Sequence, residues 1–254
     1  MAKMGSSRHL KRLVAPAFWY ILRKEYKWVV KPSPGPHPID RCVPLLLLIR
    51  DMIGIAKNAR EAKRIIYDGK VFVDNRVVRD YKFPVGPMDV VSIPEIDLYL
   101  RIVPYVGRHL WYINIPTEEA KLKLVRIENK TTVKNGNIQL NLHDGRNVLI
   151  TVKDPKNPVE ASPFKTLDTL LIELPSQSIV QHIPLGIGKL VIVIDGKNVG
   201  RIGKVIDIEG YEGKKRRHSL VTIEDLNGHR FQTILNYIMT VGENRPIMKV
   251  YEEG

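Results

Sequence analysis

The chain has 254 residues and a formal net charge of +13, from 40 Lys+Arg against 27 Asp+Glu. That length supports two or three domains of modest size, and a positive excess that folding does not require points to a polyanionic partner, nucleic acid ahead of an anionic membrane surface. The single cysteine, Cys42, excludes an internal disulfide and a cysteine-based zinc site, and fits a reducing compartment.

The charge is uneven. Residues 1–41 carry nine Lys/Arg and two acidic groups, a net of +7, residues 42–94 a net of +3, and the remaining 160 residues share the last +3. Phosphate contacts are therefore expected first at the N-terminal end. Residues 1–41 read as a basic, extended arm. Lys3, Arg8, Lys11 and Arg12 open it, Phe18, Trp19 and Tyr20 follow, and then come Arg23, Lys24, Lys27, Trp28 and Lys31. The Pro-rich stretch 31–38 cannot be helical. Such an arm gains little core alone and is expected to order against a partner. Phe18, Trp19 and Trp28 either stack on bases or pin the arm to its own protein. No apolar secretory core follows the basic first twenty residues. The longest apolar run, Val43 to Ile49, contains Pro44 and is far short of a membrane span.

Residues 42–94 read as a small α/β unit. Cys42 is a small apolar residue at the mouth of a short buried helix over Leu45 to Ile53, with Arg50 and Asp51 at its wet edge. Asn58 is a good N-cap with Glu61 three residues on, as in a capping box. Ala59, Ala62, Ile65 and Ile66 form an apolar stripe at helical spacing, leaving Lys57, Arg60, Lys63 and Arg64 for the surface. Gly69 stops the helix. Short strands over 71–73 and 77–78 are joined through Asp74-Asn75-Arg76, and Asp89 to Ile93 is a closing strand ended by Pro94. This succession resembles the S4-type RNA-binding domain, in which two helices and the adjoining hairpin form one RNA-binding surface. The resemblance implies RNA contacts from Lys57, Arg60, Lys63, Arg64, Lys70, Arg76 and Arg79, continued by Lys82.

Residues 95–172 read as a β-rich central domain. Strands are expected over 96–103 and 110–115, a short helix over 118–124, and a hairpin from Ile138–Leu142 through His143-Asp144-Gly145 to Val148–Val152. Residues 173–244 read as a small barrel and residues 245–254 as a tail. Within the barrel, Gly188 to Ile208 gives a strand, a loop with Gly196 and Gly200, and a second strand. It resembles a KOW motif, which occurs in SH3-like barrels of ribosomal and transcription-associated proteins. Lys214, Lys215, Arg216 and Arg217 form a basic loop between strands, expected on the surface and on RNA.

The order of the pieces gives an α+β multidomain chain: arm, S4-like domain, β-rich centre, KOW-bearing barrel. That succession resembles the ribosomal small-subunit S4e family of archaea and eukaryotes. The strings His9–Leu13, Asp80–Val91, Gln139–Gly145 and Gly196-Lys197-Asn198 carry the likeness over nearly the full length. Family membership implies a structural constituent of the small ribosomal subunit, with small-subunit ribosomal RNA and neighbouring small-subunit proteins as partners, a cytoplasmic location and an archaeal source.

Catalysis has little to stand on. S4-type domains also occur in RNA-modifying enzymes such as pseudouridine synthases, but those need a large catalytic domain that residues 95–172 and 173–244 are each too short to supply. Asp144 sits in a turn that asks for Asp and Gly on conformational grounds. The histidines at 9, 37, 109, 143, 182, 218 and 229 show no HxH or HExxH spacing, and Gly186-Ile187-Gly188-Lys189 lacks the spacing of a phosphate loop. No metal, cofactor, membrane or small-molecule substrate is expected. An RNA-modifying or free regulatory RNA-binding protein is the alternative, and DNA is the nearest alternative polyanion.

Overall fold

The structure is a computed structural model that describes residues 7–22, 24–152, 163–210, 219–225 and 227–251. The arm opens with β1 (Leu10–Lys11), which pairs antiparallel with β2 (Trp28–Val29). Between them the chain turns inward. Ala15, Trp19 and Ile21 are buried in one core with Leu45 to Ile49. Trp19 is 2% exposed and donates its indole N–H to the Cys42 carbonyl at 2.7 Å. A buried indole with its one donor satisfied is a fixed anchor. The described arm is thus held by its own protein, which corrects the expectation that it orders against a partner. Cys42 lies under the same contact, and burial pushes its thiol up to about 12, so it behaves as a small apolar residue.

β3 (Val43–Pro44) leads into α1 (Leu45–Leu47), whose turns continue as a π-helix over Leu48–Ile53 and stop at Gly54, φ 80°. α2 (Ala59–Tyr67) starts where Asn58 predicts. The Asn58 side chain accepts from the N–H groups of Arg60 and Glu61. Glu61 reaches one residue further back than a capping box asks, accepting from the Lys57 N–H. Ala62 and Ile66 are buried, and Gly69 follows the helix at φ 76°. β4 (Phe72–Val73) and β5 (Arg76–Val77) are joined by Asp74-Asn75 alone, with φ of 50° and 60°. Positive φ at both central residues is what a type I′ hairpin turn requires, so Arg76 belongs to the strand and not to the turn.

β6 (Pro84–Val85) pairs with β3, and β7 (Val90–Ile93) pairs with β4. β8 (Leu98–Tyr105) and β9 (His109–Asn114) then extend the same sheet, in the order β5-β4-β7-β8-β9. The boundary expected at residue 94 therefore falls between two hydrogen-bonded strands.

The helix expected over 118–124 is one turn, Glu119–Lys121, after which the chain is β10 (Leu122–Thr132). β10 is the middle strand of a second sheet. With β11 (Ile138–Leu142), β12 (Asn147–Ile150), β13 (Thr169–Glu173) and β14 (Ile179–Ile183) it runs β12-β11-β10-β13-β14. Pairing with β13 claims Leu122 to Arg126, which is why they are extended. The boundary expected between residues 172 and 173 lies inside β13.

The last sheet holds β15 (Leu190–Val193), β16 (Ile202–Glu209), β17 (Leu220–Asp225), β18 (Arg230–Ile234) and β19 (Ile238–Gly242), in the order β18-β17-β16-β15-β19. It is the unit expected from the KOW-like strand, loop and strand. Met248 and Val250 are buried with Met88, Leu124 and Met239. The Lys249 carbonyl accepts from Arg101 at 2.8 Å. Residues 245–251 are docked between the sheets, so the expectation of a loose tail is corrected for them. Among the described residues no helix is long and apolar enough to cross a membrane.

Candidate nucleic-acid interface

The α2 stripe that packs inward fixes which side chains face out. Lys57, Arg60 and Arg64 are exposed, and Lys63 is half-buried on the flank turned toward the arm. Arg76 and Arg79 are exposed beside the hairpin, and Lys70 and Lys82 are half-buried. On the arm, Arg8, Lys11, Lys24 and Lys27 are exposed. Among the described residues, three of the expected contacts are already engaged by hydrogen bonds or an ion pair within the protein. Arg12 donates to the Ile21 carbonyl at 2.9 Å, Lys31 donates to the Ser7 carbonyl at 2.6 Å, and Lys70 pairs with Glu95 at 2.8 Å. Lys3, Arg23, Lys214, Lys215, Arg216 and Arg217 lie outside the described residues.

The arm and α2 come together around a groove of about 380 Å³. Arg8, Lys31, Arg50, Lys63 and Lys82 line it, and among the described residues no acidic side chain does. Arg50 is neutralised by Asp51 at 2.7 Å, so four of the five basic groups give the groove its charge. Trp28 stands on the arm side and Tyr81 on the other, with the Lys63 ammonium 4.4 Å from the Tyr81 ring centre. Like charges gathered round a concave wall reinforce one another's field and concentrate anions there. The groove thus brings together Arg8, Lys31, Lys63 and Lys82 from segments that sequence alone treats separately.

A buried ionic cluster holds the hairpin side of this surface in place. Lys123 on β10 is buried, and its ammonium lies 2.7 Å from Asp74, 2.6 Å from Asp89 and 3.0 Å from Asp144. Arg146 reaches Asp74 at 2.6 Å, and the His37 ring lies 3.1 Å from Asp89. Asp74 is in the β4–β5 turn, Asp89 precedes β7, Asp144 is in the β11–β12 turn and His37 is at the end of the arm. One cluster therefore fastens arm, hairpin and central sheet together. Burial opposes the charge on Lys123, but the three carboxylates outweigh it and hold the ammonium above its ordinary range. Burial likewise works against ionised Asp89, yet His37 and Lys123 keep its carboxyl well below the usual carboxylate range. At Asp74 burial wins, and its carboxyl is raised despite Lys123.

None of Lys123, Asp89 or Arg146 stands out in the sequence as a site. Each is a charged residue in or beside a strand, where the default is a solvated face. The signal for Asp144 was its turn, which is correct and incomplete.

The chain matches four families in succession. Residues 4–40 match the RS4NT (NUC023) domain, residues 48–91 the S4 domain, residues 96–179 the ribosomal family S4e, and residues 187–224 the KOW motif. It is 58% identical over 252 residues to the small ribosomal subunit protein eS4 of Staphylothermus marinus, which covers 99% of each chain. Identity is 55% to the protein of that name from Desulfurococcus amylolyticus, again over 99% of each, and 48% to that from Methanocaldococcus jannaschii, over 98% of this chain and all of the relative. Among solved structures it is similar to the 30S ribosomal protein S4e from Thermoplasma acidophilum. The TM-score there is 0.65 at 30% identity, over 80% of this chain and 96% of that one.

Proposed function

The chain belongs to the ribosomal S4e family, and on that footing we propose that the groove between arm and α2, with the outer face of α2 and the hairpin, is where it meets ribosomal RNA. It is a structural constituent of the small ribosomal subunit, of archaeal type, that binds small-subunit ribosomal RNA and neighbouring small-subunit proteins. It is not an enzyme. A catalytic RNA-modifying role is set aside with that membership. Its place is the cytoplasm, in the small subunit.

The observation that supports the RNA surface is the meeting of Arg8, Lys31, Lys63 and Lys82 round one concavity with no acidic side chain in its lining among the described residues. Lys and Arg near phosphates displace condensed counterions, and that release supplies most of the affinity. A-form duplex hides its bases in a deep, narrow major groove, so the exposed row Lys57, Arg60, Arg64, Arg76 and Arg79 reads backbone and shape and not sequence. Lys11, Lys24 and Lys27 extend the row along the arm. Lys3, Arg23 and Lys214 to Arg217 join the proposal on their sequence alone. Arg12 and Lys70, already engaged by the protein, serve chiefly to shape the surface. The central and C-terminal sheets carry little net charge and are the faces offered to neighbouring proteins.

The test is the salt dependence of binding between the full chain and a small-subunit rRNA transcript. A variant with Lys57, Arg60, Lys63 and Arg64 all changed to Gln is expected to flatten the log K against log[salt] slope by roughly 3, at about 0.7–0.9 per lost contact. An unchanged slope places the RNA elsewhere on the molecule.

A further inference from the structure

The groove carries more than phosphate-binding charge. Its arm wall is Trp28, a large aromatic left 53% exposed. Trp28 faces Lys11 across the β1–β2 pair. The Lys11 and Lys27 ammonium groups sit 5.9 and 5.7 Å from its ring centre, and the His9 ring is tilted against it at 5.4 Å. Those lysine distances are near the outer limit of a cation–π contact, about 6 Å. They hold the ring weakly and leave it open to a better partner. The opposite wall repeats the chemistry, with Tyr81 flanked by Lys63 at 4.4 Å and Lys82 at 5.5 Å.

Of the other arm aromatics, Tyr26 shares the groove with the Arg50 guanidinium 4.9 Å from its ring centre, while Trp19 and Phe18 are committed elsewhere. Trp19 is buried with its N–H on Cys42, and Phe18 packs on the His109 ring at 4.6 Å. Of Trp19, Phe18 and Trp28, Trp28 keeps an exposed ring beside lysine ammonium groups and a concavity.

A base-paired duplex makes no use of such a ring, because its bases are stacked inside and its outer face is sugar and phosphate. An unpaired nucleotide has a free π-face and a phosphate on either side. A cavity of about 380 Å³ is of the size that takes small ligands, roughly 300–1,000 Å³. We propose that this groove seats one unpaired nucleotide of the bound RNA, its base stacked on Trp28 and its flanking phosphates on Lys63 and Lys82, which line the groove. The proposal rests on the RNA-binding reading above and adds a preference that reading does not contain.

The test uses the full-length protein and two synthetic RNA hairpins, identical except that one carries a single 2-aminopurine bulge and the other is fully paired. The wild type should bind the bulged hairpin at least about fivefold more tightly, the low end of the value of a base–aromatic stack, and 2-aminopurine emission should fall on binding. Trp28→Ala should lose both the preference for the bulged hairpin and the quenching. Trp28→Phe should keep part of each. Equal wild-type affinity for the two hairpins, or a preference that survives in Trp28→Ala, overturns the stacking proposal and leaves RNA binding intact. Failure of the wild type to bind either hairpin at low salt overturns the RNA-binding reading, and the stacking proposal with it.

Discussion

Lys123 on the middle strand of the central sheet lies 2.7 Å from Asp74 in the two-residue turn of the S4-like hairpin. That pair decides where the hairpin points. Asp74 also accepts from the Val90 N–H at 3.0 Å, so one carboxylate ties the turn to β7 and to β10 at once. The exposed Arg76 opens β5 directly after a turn that the protein interior holds in place.

Removing the cation should therefore cost much more than a surface charge would. Lys123→Met leaves Asp74, Asp89 and Asp144 facing each other with Arg146 and His37 as their remaining partners. Breaking a buried pair on one side costs about 3–5 kcal/mol. Urea denaturation at neutral pH should show a loss of that size. A loss below about 1 kcal/mol would mean that the cluster does not hold the units together.

His143 gives the fold a dependence on pH. Its Nδ1 accepts from the Arg126 N–H at 3.1 Å and its Nε2 faces the Pro87 carbonyl at 3.3 Å, an arrangement for the neutral ring. Burial pushes its pKa down to about 4. The unfolded ring takes up its proton near pH 6.5, so between about pH 6.5 and 4 the unfolded state binds more protons and stability falls as pH drops. The loss attributable to this group is about 2–3 kcal/mol across the window. Unfolding followed against pH should show that decline for the wild type and a flatter profile for His143→Gln. Below pH 4 the depressed carboxyls of Asp89 and Asp144 continue the loss as they protonate. Equal slopes for the two proteins between pH 4 and 6.5 would contradict the assignment.

The arm should be releasable at one residue. Trp19→Ala removes a buried ring and its bond to the Cys42 carbonyl, and such truncations cost about 3–5 kcal/mol. Limited trypsin digestion should then cut at Lys24 and Lys27 well before the rest of the chain, whereas the wild-type arm resists. Equal cleavage in both proteins would show that Trp19 is not what anchors the arm.

The joint between the KOW loop and the first large sheet is made by backbone. A Cβ at Gly200 would lie 2.3 Å from the Val106 nitrogen, and Gly200 has a φ of 83°. Both the clash and the left-handed backbone penalise a side chain, so Gly200→Ala should destabilise by about 2–4 kcal/mol. A thermal melt in which Gly200→Ala matches the wild type would mean that the two loops do not pack this closely.

Local chemistry was legible in the sequence where one residue settles one geometry. Asn58 capped α2, Gly69 ended it, and Asp144-Gly145 turned a hairpin. Contacts between units were not legible. β10 is buried along both faces from Lys123 to Ile127, because sheets and the C-terminal segment cover it on each side. Alternation therefore gives no period there, and Lys123 looks like any strand lysine. The unit ends went astray for a related reason. β8 and β13 pair with strands on the far side of a Pro or a turn, and such punctuation marks a change of direction without saying which sheet the next strand joins. Met248 and Val250 are apolar residues too few and too close to a terminus to announce a core position. At the interface, the basic residues were legible as a set, while the groove was not, since it takes Arg8, Lys63 and Lys82 from three segments that meet only in the fold.

The measurement that tests the central claim most directly is sedimentation of native lysate on a sucrose gradient, with the chain probed in each fraction before and after a high-salt wash. A structural constituent of the small subunit should travel with small subunits in low salt and stay with them through the wash. A chain that remains at the top of the gradient in low salt would contradict that role and point to a free RNA-binding protein.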